Sequence, residues 1–334
     1  MAVKIGINGF GRIGMLVAKA AMERGGDVEV VAANDLMPFG SIANLFKHDS
    51  THGTWGEDVS FEDNILRVGD REVKTFAERD PASIPWGDLG VDIVVESSGV
   101  FTDKESAGKH LDGGAKKVVI SAPAKGVDAT FVYKVNHEDY DPENHVVVSN
   151  ASCTTNCIVP MAKVLVDNFG MESAYMTTCH AYTNDQSLLD AAHKDPRRAR
   201  AAAQSIIPTS TGAAKTVGVI YPDLQGKVDG MSLRVPISDG SITDVVANLS
   251  QEASVEDINA AFKRAAEGEL AGVLEYSEAP LVSKDIVGNQ ASCVFDAPLT
   301  MSNGKTVKIL GWYDNEWGYS NRTVDLVQYI GERL

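Results

Sequence analysis

The stretch Val3-Lys4-Ile5-Gly6-Ile7-Asn8-Gly9-Phe10-Gly11-Arg12-Ile13-Gly14 decides the fold class. Residues 3–7 are a short apolar run of strand length, and the glycines after them mark a turn. Residues 13–23 then repeat their apolar positions at helical spacing. Residues 28–33 form a second apolar strand that ends at Asn34-Asp35, so Asp35 lies 21 residues past Gly14. Strand, Gly-x-Gly-x-x-Gly and helix in that order make a turn suited to a dinucleotide. Gly9 permits the tight turn, Gly11 lets backbone approach a pyrophosphate, and Gly14 lets helix and strand pack closely. The helix N-terminus faces the anion. Asp35 would accept hydrogen bonds from the adenosine ribose and repel a 2′-phosphate. The plainer alternative for Asp35 is a helix cap or turn residue.

Working outward, apolar runs at 91–95, 118–121 and 146–148 read as further buried parallel strands. Strands alternating with helical stretches imply an α/β sheet with right-handed crossovers. After residue 150 the texture changes. A helix over about 153–168 is followed by alternating segments at 173–178, 230–235, 244–249 and 305–313, which suit a mostly antiparallel sheet with one face covered. Residues 181–211 are long, polar and basic in the middle, the mark of a functional loop. Residues 318–334 have helical spacing. The expected architecture is a Rossmann-type doubly wound parallel sheet, residues 1–150 plus 315–334, with an α+β catalytic domain over 151–314.

At 334 residues, 44% apolar and 23% charged, the chain can bury two such cores. No apolar run nears ~18 residues and the opening residues carry no long apolar segment, so a cytoplasmic location is expected. Thirty basic against 46 acidic residues give a net charge of −16, which disfavours nucleic acid and anionic lipid as partners. An ordinary solvated surface and adaptation to a salty cytosol both fit that charge. Four cysteines without a C-x-x-C pair argue against a disulfide scaffold, zinc ligation or thioredoxin-like exchange, and no metal is expected.

The chemistry gathers at Ser149-Asn150-Ala151-Ser152-Cys153-Thr154-Thr155-Asn156-Cys157, where a strand meets a helix. A cysteine in a first helical turn feels unpaired amides that favour its thiolate, and Ser152 can cap that helix. A buried structural cysteine is the alternative for Cys153, and it suits Cys157 and Cys293 well. His180 ends a strand-like run and opens a polar loop, which makes it the candidate base. The other histidines, His48, His52, His110, His137, His145 and His193, read as turn or polar helical positions. Spacing alone does not single out His180.

Together these residues resemble phosphorylating glyceraldehyde-3-phosphate dehydrogenases along essentially the whole chain. The motifs that carry the resemblance occur in order: residues 8–14, 152–156, His180-Ala181-Tyr182-Thr183, Arg197-Arg198-Ala199-Arg200-Ala201-Ala202 and Trp312-Tyr313-Asp314-Asn315-Glu316. The resemblance implies Cys153 as nucleophile and His180 as base. It implies Thr183 and Arg234 at the substrate's own phosphate, and Ser152, Thr154, Arg198, Thr211 and Gly212 at the attacking inorganic phosphate. Guanidiniums with hydroxyl and backbone donors suit two anions in an acidic protein. Arg197 and Arg200 fit a solvated or subunit-facing cluster equally well. Asn315 would hold the nicotinamide carboxamide. With it, Gly9, Gly11, Arg12, Ile13, Gly14, Asp35, Arg79 and Ser121 make up the expected cofactor set. The implied cofactor is NAD, with NADP open, the implied substrate glyceraldehyde 3-phosphate, and the implied assembly a homotetramer.

Two features pull apart. Relatives strict for NAD have Leu-Pro after the aspartate matching Asp190, whereas Ala191-Ala192 stand here, as in relatives that accept NADP. Leu36 after Asp35 fits NAD use. Two rival readings remain: oxidation of erythrose 4-phosphate with hydrolysis of the thioester, and a silent nucleotide-binding protein.

Overall fold

The structure, a computed structural model, describes residues 2–334. It divides into two compact units: one runs to Ala151 and takes in Ser320–Leu334, and the other is Ser152–Tyr319.

The first unit is built on β1 (Val3–Asn8), α1 (Arg12–Arg24), β2 (Val28–Asn34), α2 (Phe39–Lys47), β3 (Val59–Glu62), β4 (Ile65–Val68), β5 (Arg71–Phe76), β6 (Ile93–Glu96), β7 (Lys117–Ile120), β8 (Ala129–Thr130) and β9 (Val147–Ser149). Its sheet runs β8-β9-β7-β6-β1-β2-β5-β4-β3. Pairing is parallel from β8 to β5, and antiparallel where β5, β4 and β3 close one edge. Ile5, Ile7, Ile93, Val94, Val95, Val118 and Val119 are wholly buried, as strands covered on both faces require. The antiparallel edge was not read from the sequence. Its β3–β4 turn is Asp63-Asn64, both at positive φ of 53° and 57°, the backbone that a two-residue hairpin needs. The segment from Ser320 returns to this unit, where Arg24 reaches Asn321 Oδ1 at 2.9 Å and Asn150 Nδ2 donates to Thr323 Oγ1 at 3.0 Å.

The second unit comprises α3 (Cys153–Phe169), β10 (Met171–Ala181), β11 (Ile207–Ser210), α4 (Ala213–Ile220), β12 (Val228–Val235), β13 (Ser241–Leu249), α5 (Val255–Glu267), β14 (Leu274–Ser277), β15 (Cys293–Asp296), β16 (Met301–Asn303) and β17 (Thr306–Tyr313), and α6 (Trp317–Gly331) begins in it. The sheet order is β11-β12-β10-β13-β17-β15-β14, with β16 paired to β17. All pairs are antiparallel except β10–β12 and β14–β15. Ile158, Ala162 and Leu165 of α3 meet Ala174, Val228, Val245 and Ile309 of the sheet. The other face leaves Tyr175, Met231 and Val246 exposed.

Two sequence expectations need correction. Residues 173–178 belong to an eleven-residue strand that continues through His180 to Ala181. Residues 181–211 are not one open loop, because β11 pairs with β12 inside that stretch, Ile207 opposite Arg234. Antiparallel pairing supplies backbone partners that the polar sequence did not advertise.

Candidate active site

In the first unit the glycine turn behaves as steric arguments require. Gly9 sits at φ 84°, and a Cβ there would lie 2.4 Å from the Ser98 backbone; one on Gly14 would lie 2.1 Å from Gly9 O. A Cβ on Gly11 would instead enter open space. That space is a cavity of about 420 Å³ lined by Gly9, Gly11, Asp35 and Arg79, with Asn8, Asn34, Glu78 and Ser98. Asp35 Oδ2 accepts from the Phe10 N–H at 2.7 Å and Oδ1 from the Met37 N–H at 2.9 Å. It is therefore both a turn residue and a wall of the cleft. Bare backbone beside a carboxylate fits a pyrophosphate and a ribose.

Five of the expected cofactor residues do not line this cavity, Asn315 of the second unit among them. Arg12 makes an ion pair with Asp49 at 2.6 Å. Ile13 and Gly14 lie in the first turns of α1, and Ser121 Oγ donates to Glu96 O at 3.2 Å. Gly14's role is packing: it lets α1 approach the turn that holds the cleft open. His110, expected at a turn or polar helical position, lies in the short helix Lys109–Leu111 and is wholly buried.

In the second unit Ser152 caps α3, accepting from the Thr155 N–H at 3.1 Å. Cys153 therefore opens the helix, and its Sγ lies 3.4 Å from His180 Nε2. His180 stands beside Arg234 across β10 and β12. Its Nδ1 lies 2.7 Å from Ala181 O and 2.9 Å from Arg234 Nη1. The buried Arg234 Nε has no partner among the described residues. An unsatisfied guanidinium N–H is costly, and an anion would satisfy it.

The residues expected around inorganic phosphate are tied in locally. Arg198 reaches Asp185, Thr209 Oγ1 at 2.9 Å and Ser210 O at 3.3 Å. Thr211 Oγ1 accepts from the Ala213 N–H at 3.2 Å, and Gly212 opens α4. The Thr183 N–H donates to Gln186 Oε1 at 3.4 Å. Asn315 Oδ1 accepts from Ser241 Oγ at 2.6 Å, which orients that amide. Tyr313 was not singled out by chemistry, although it lies in a quoted motif. Its hydroxyl bridges Thr154 Oγ1 at 2.9 Å and Thr178 Oγ1 at 2.8 Å, and its ring stands edge-on to His180.

Burial sets both reacting groups against ionisation. It pushes the Cys153 thiol up to about 11, opposed by Arg234 and by hydrogen bonds at Thr154. It pulls His180 down to about 3, with Arg234 and Arg198 adding to the effect. The expectation that the helix start alone would favour a thiolate is thus outweighed. Ionising both groups together restores an attraction of about 5 kcal/mol at an effective dielectric near 20. Arg234 is itself pulled down, first by burial and then by Arg198, a cost that bound anions would relieve. Of the four cysteines, Cys157 and Cys293 are buried, while Cys153 and Cys179 keep some exposure.

A glycine-cradled cleft on a parallel sheet, with a separate cysteine–histidine pair on an α+β unit, fits the class of nicotinamide-dependent oxidoreductases that work through a covalent cysteine intermediate. Residues 3–104 match the glyceraldehyde 3-phosphate dehydrogenase NAD binding domain, and residues 152–315 match the C-terminal domain of the same family. The chain is 56% identical over 335 residues to glyceraldehyde-3-phosphate dehydrogenase 2 of Streptomyces avermitilis, covering 100% of both chains. It is 57% identical over 334 residues to the glyceraldehyde-3-phosphate dehydrogenase of Geobacillus stearothermophilus, covering 100% of this chain and 99% of the relative. The chain belongs to the glyceraldehyde-3-phosphate dehydrogenase family.

No helix among the described residues is long and apolar enough to cross a membrane.

Proposed function

We propose that the chain oxidises D-glyceraldehyde 3-phosphate to 1,3-bisphosphoglycerate, with Cys153 as nucleophile and His180 as base. The observation that carries this is the 3.4 Å approach of Cys153 Sγ to His180 Nε2 beside Arg234, whose buried Nε has no partner among the described residues. Sγ passes its proton to Nε2 and attacks the aldehyde carbon, and the alkoxide takes that proton back as a hemithioacetal forms. Nε2 then accepts the hydroxyl proton while hydride leaves the same carbon. When bound, the oxidised nicotinamide supplies the hydride acceptor. The resulting Cys153 thioester is attacked by a phosphate oxygen, which releases the thiolate and the acyl phosphate. Holding the acyl group on sulfur keeps the oxidation energy from being lost to water.

Arg234 and Thr183 would bind the substrate's phosphate, and Arg198, Ser152, Thr154, Thr211 and Gly212 the attacking one. Gly9, Gly11, Asp35 and Arg79 would hold the dinucleotide from the first unit, helped by Arg12, Ile13, Gly14 and Ser121 around the turn. Asn315 would orient the nicotinamide amide. NADP use is allowed by Ala191-Ala192. The exposed face bearing Tyr175, Met231 and Val246 is suited to a second copy of the chain, in keeping with a homotetramer. A cytoplasmic location is part of this reading. NADH absorbance with glyceraldehyde 3-phosphate, run with and without inorganic phosphate, tests the reaction. Activity that persists without phosphate and favours erythrose 4-phosphate would replace it with the hydrolytic reading, and no activity would sink both.

A further inference from the structure

A run of buried polar groups in the first unit ends at the dinucleotide cleft. Glu96, the last residue of β6, is 2% exposed. Its Oε2 accepts from Asn8 Nδ2 at 2.5 Å and from His110 Nε2 at 3.0 Å. Its Oε1 accepts from the Ser98 N–H at 2.8 Å and Ser98 Oγ at 2.5 Å. Behind His110, Trp86 Nε1 lies 3.0 Å from Nδ1. An indole N–H can only donate, so Nδ1 accepts and His110 carries its proton on Nε2, facing Glu96. Ahead of Glu96, Asn8 Oδ1 accepts from Asn34 Nδ2 at 2.7 Å, and Asn34 exchanges two hydrogen bonds with the Glu78 backbone at 2.8 and 2.9 Å.

Four donors converge on the two oxygens of Glu96, and only a carboxylate has no donor of its own to clash with them. Through Ser98 it holds the backbone against which Gly9 turns. Through Asn8 and Asn34 it holds the stretch leading to Arg79. Gly9, Ser98, Asn8, Asn34, Glu78 and Arg79 all line the cavity. We propose that Glu96 is a positioning residue for the dinucleotide, setting the cleft's width through Ser98 and Asn34 while His110, locked by Trp86, anchors it to the core. The proposal rests on reading this cleft as the dinucleotide site.

Glu96→Gln turns one acceptor oxygen into an NH₂ that faces donors. His110→Leu removes one donor, whereas His110→Gln can still accept from Trp86 and donate to Glu96. The purified full-length variants are titrated with NAD by calorimetry. The NAD Kd should rise at least tenfold (roughly the loss of one buried hydrogen bond to a charged group) in Glu96→Gln. It should rise several-fold in His110→Leu and stay within twofold in His110→Gln. Cys153 alkylation and kcat at saturating NAD should stay within twofold in all three. Should Glu96→Gln not fold, the two His110 variants decide. A merely structural role would lower the melting temperature without this ordering of Kd values, and that result overturns the proposal. An ¹⁵N spectrum of the parent with His110 as the Nδ1–H tautomer overturns it as well. A parent that binds no NAD would instead refute the reading of the cleft.

Discussion

Replacing His180 by Asn should move the ionisation of Cys153 upward, and the structure sets the size of the move. Nε2 and Sγ are 3.4 Å apart, where a full imidazolium–thiolate attraction is about 5 kcal/mol at an effective dielectric near 20. At 1.36 kcal/mol per unit that is about 3.5 pKa units. Cys153 keeps some exposure, so screening reduces the expected shift to roughly 2 units. The sign follows from charge: burial holds His180 neutral by itself, but once it takes the thiol's proton the resulting cation favours the thiolate, so its loss leaves sulfur to ionise alone against burial, which pushes it up to about 11. Iodoacetamide alkylation followed from pH 5 to 11 measures it directly. Rate follows the thiolate fraction, and because burial holds His180 neutral by itself, about 100-fold is the upper bound on the variant's slowing at pH 7, reached only where thiol and imidazole ionise together. Aldehyde oxidation should fall about 10²–10⁴-fold, the range of general acid–base catalysis. An unchanged alkylation profile would refute the pairing.

Cys153→Ser should abolish oxidation yet leave the NAD Kd within about twofold, because a hydroxyl is scarcely ionised near neutrality; labelling should reach Cys153 before Cys157, Cys179 or Cys293, and inactivation that tracks another thiol refutes the assignment. The parent should prefer NAD while using NADP measurably, since two anions about 4 Å apart repel by roughly 4 kcal/mol at a dielectric near 20. In Asp35→Gly the ratio of kcat/KM values should narrow at least tenfold, and a parent that already prefers NADP would assign selectivity to the 191–192 segment. Asp239 is held up to about 9, first by burial and then by Asp314. An acid with a raised folded pKa binds more protons folded than unfolded, so its contribution is lost as pH rises from about 4 to 9. Asp239→Asn should therefore flatten that decline, seen as a higher melting temperature than the parent's at pH 8 but not at pH 5.

Much of the active unit was legible because local sequence causes local geometry. A serine before Cys153 caps a helix whatever surrounds it, and Gly9 and Gly14 announce backbone that no side chain tolerates. His180 was a candidate base from its place at the end of a strand-like run, but only the resemblance singled it out, because six other histidines occupy comparable local contexts. What distinguishes it is long-range: β10 runs on to Ala181, and β12 beside it sets Arg234 against the ring. Arg12 shows the opposite case. Its place in the glycine motif suggests a cofactor contact, and only the fold shows that its guanidinium pairs with Asp49, 37 residues away.

The sequence by itself determined the glycine turn, the alternation of strand and helix that makes a parallel sheet, and the helix that begins at Cys153. Each follows from forces acting within about a dozen residues: steric exclusion at glycine, periodic burial, and capping. Only the tertiary structure decided which polar groups face one another. The contacts of Glu96 with Asn8 and His110 and that of Cys153 with His180 join residues from 14 to 88 positions apart. Such pairings arise when sheet register and burial bring unlike segments together, and a buried donor or acceptor must then find its partner wherever the fold has put one.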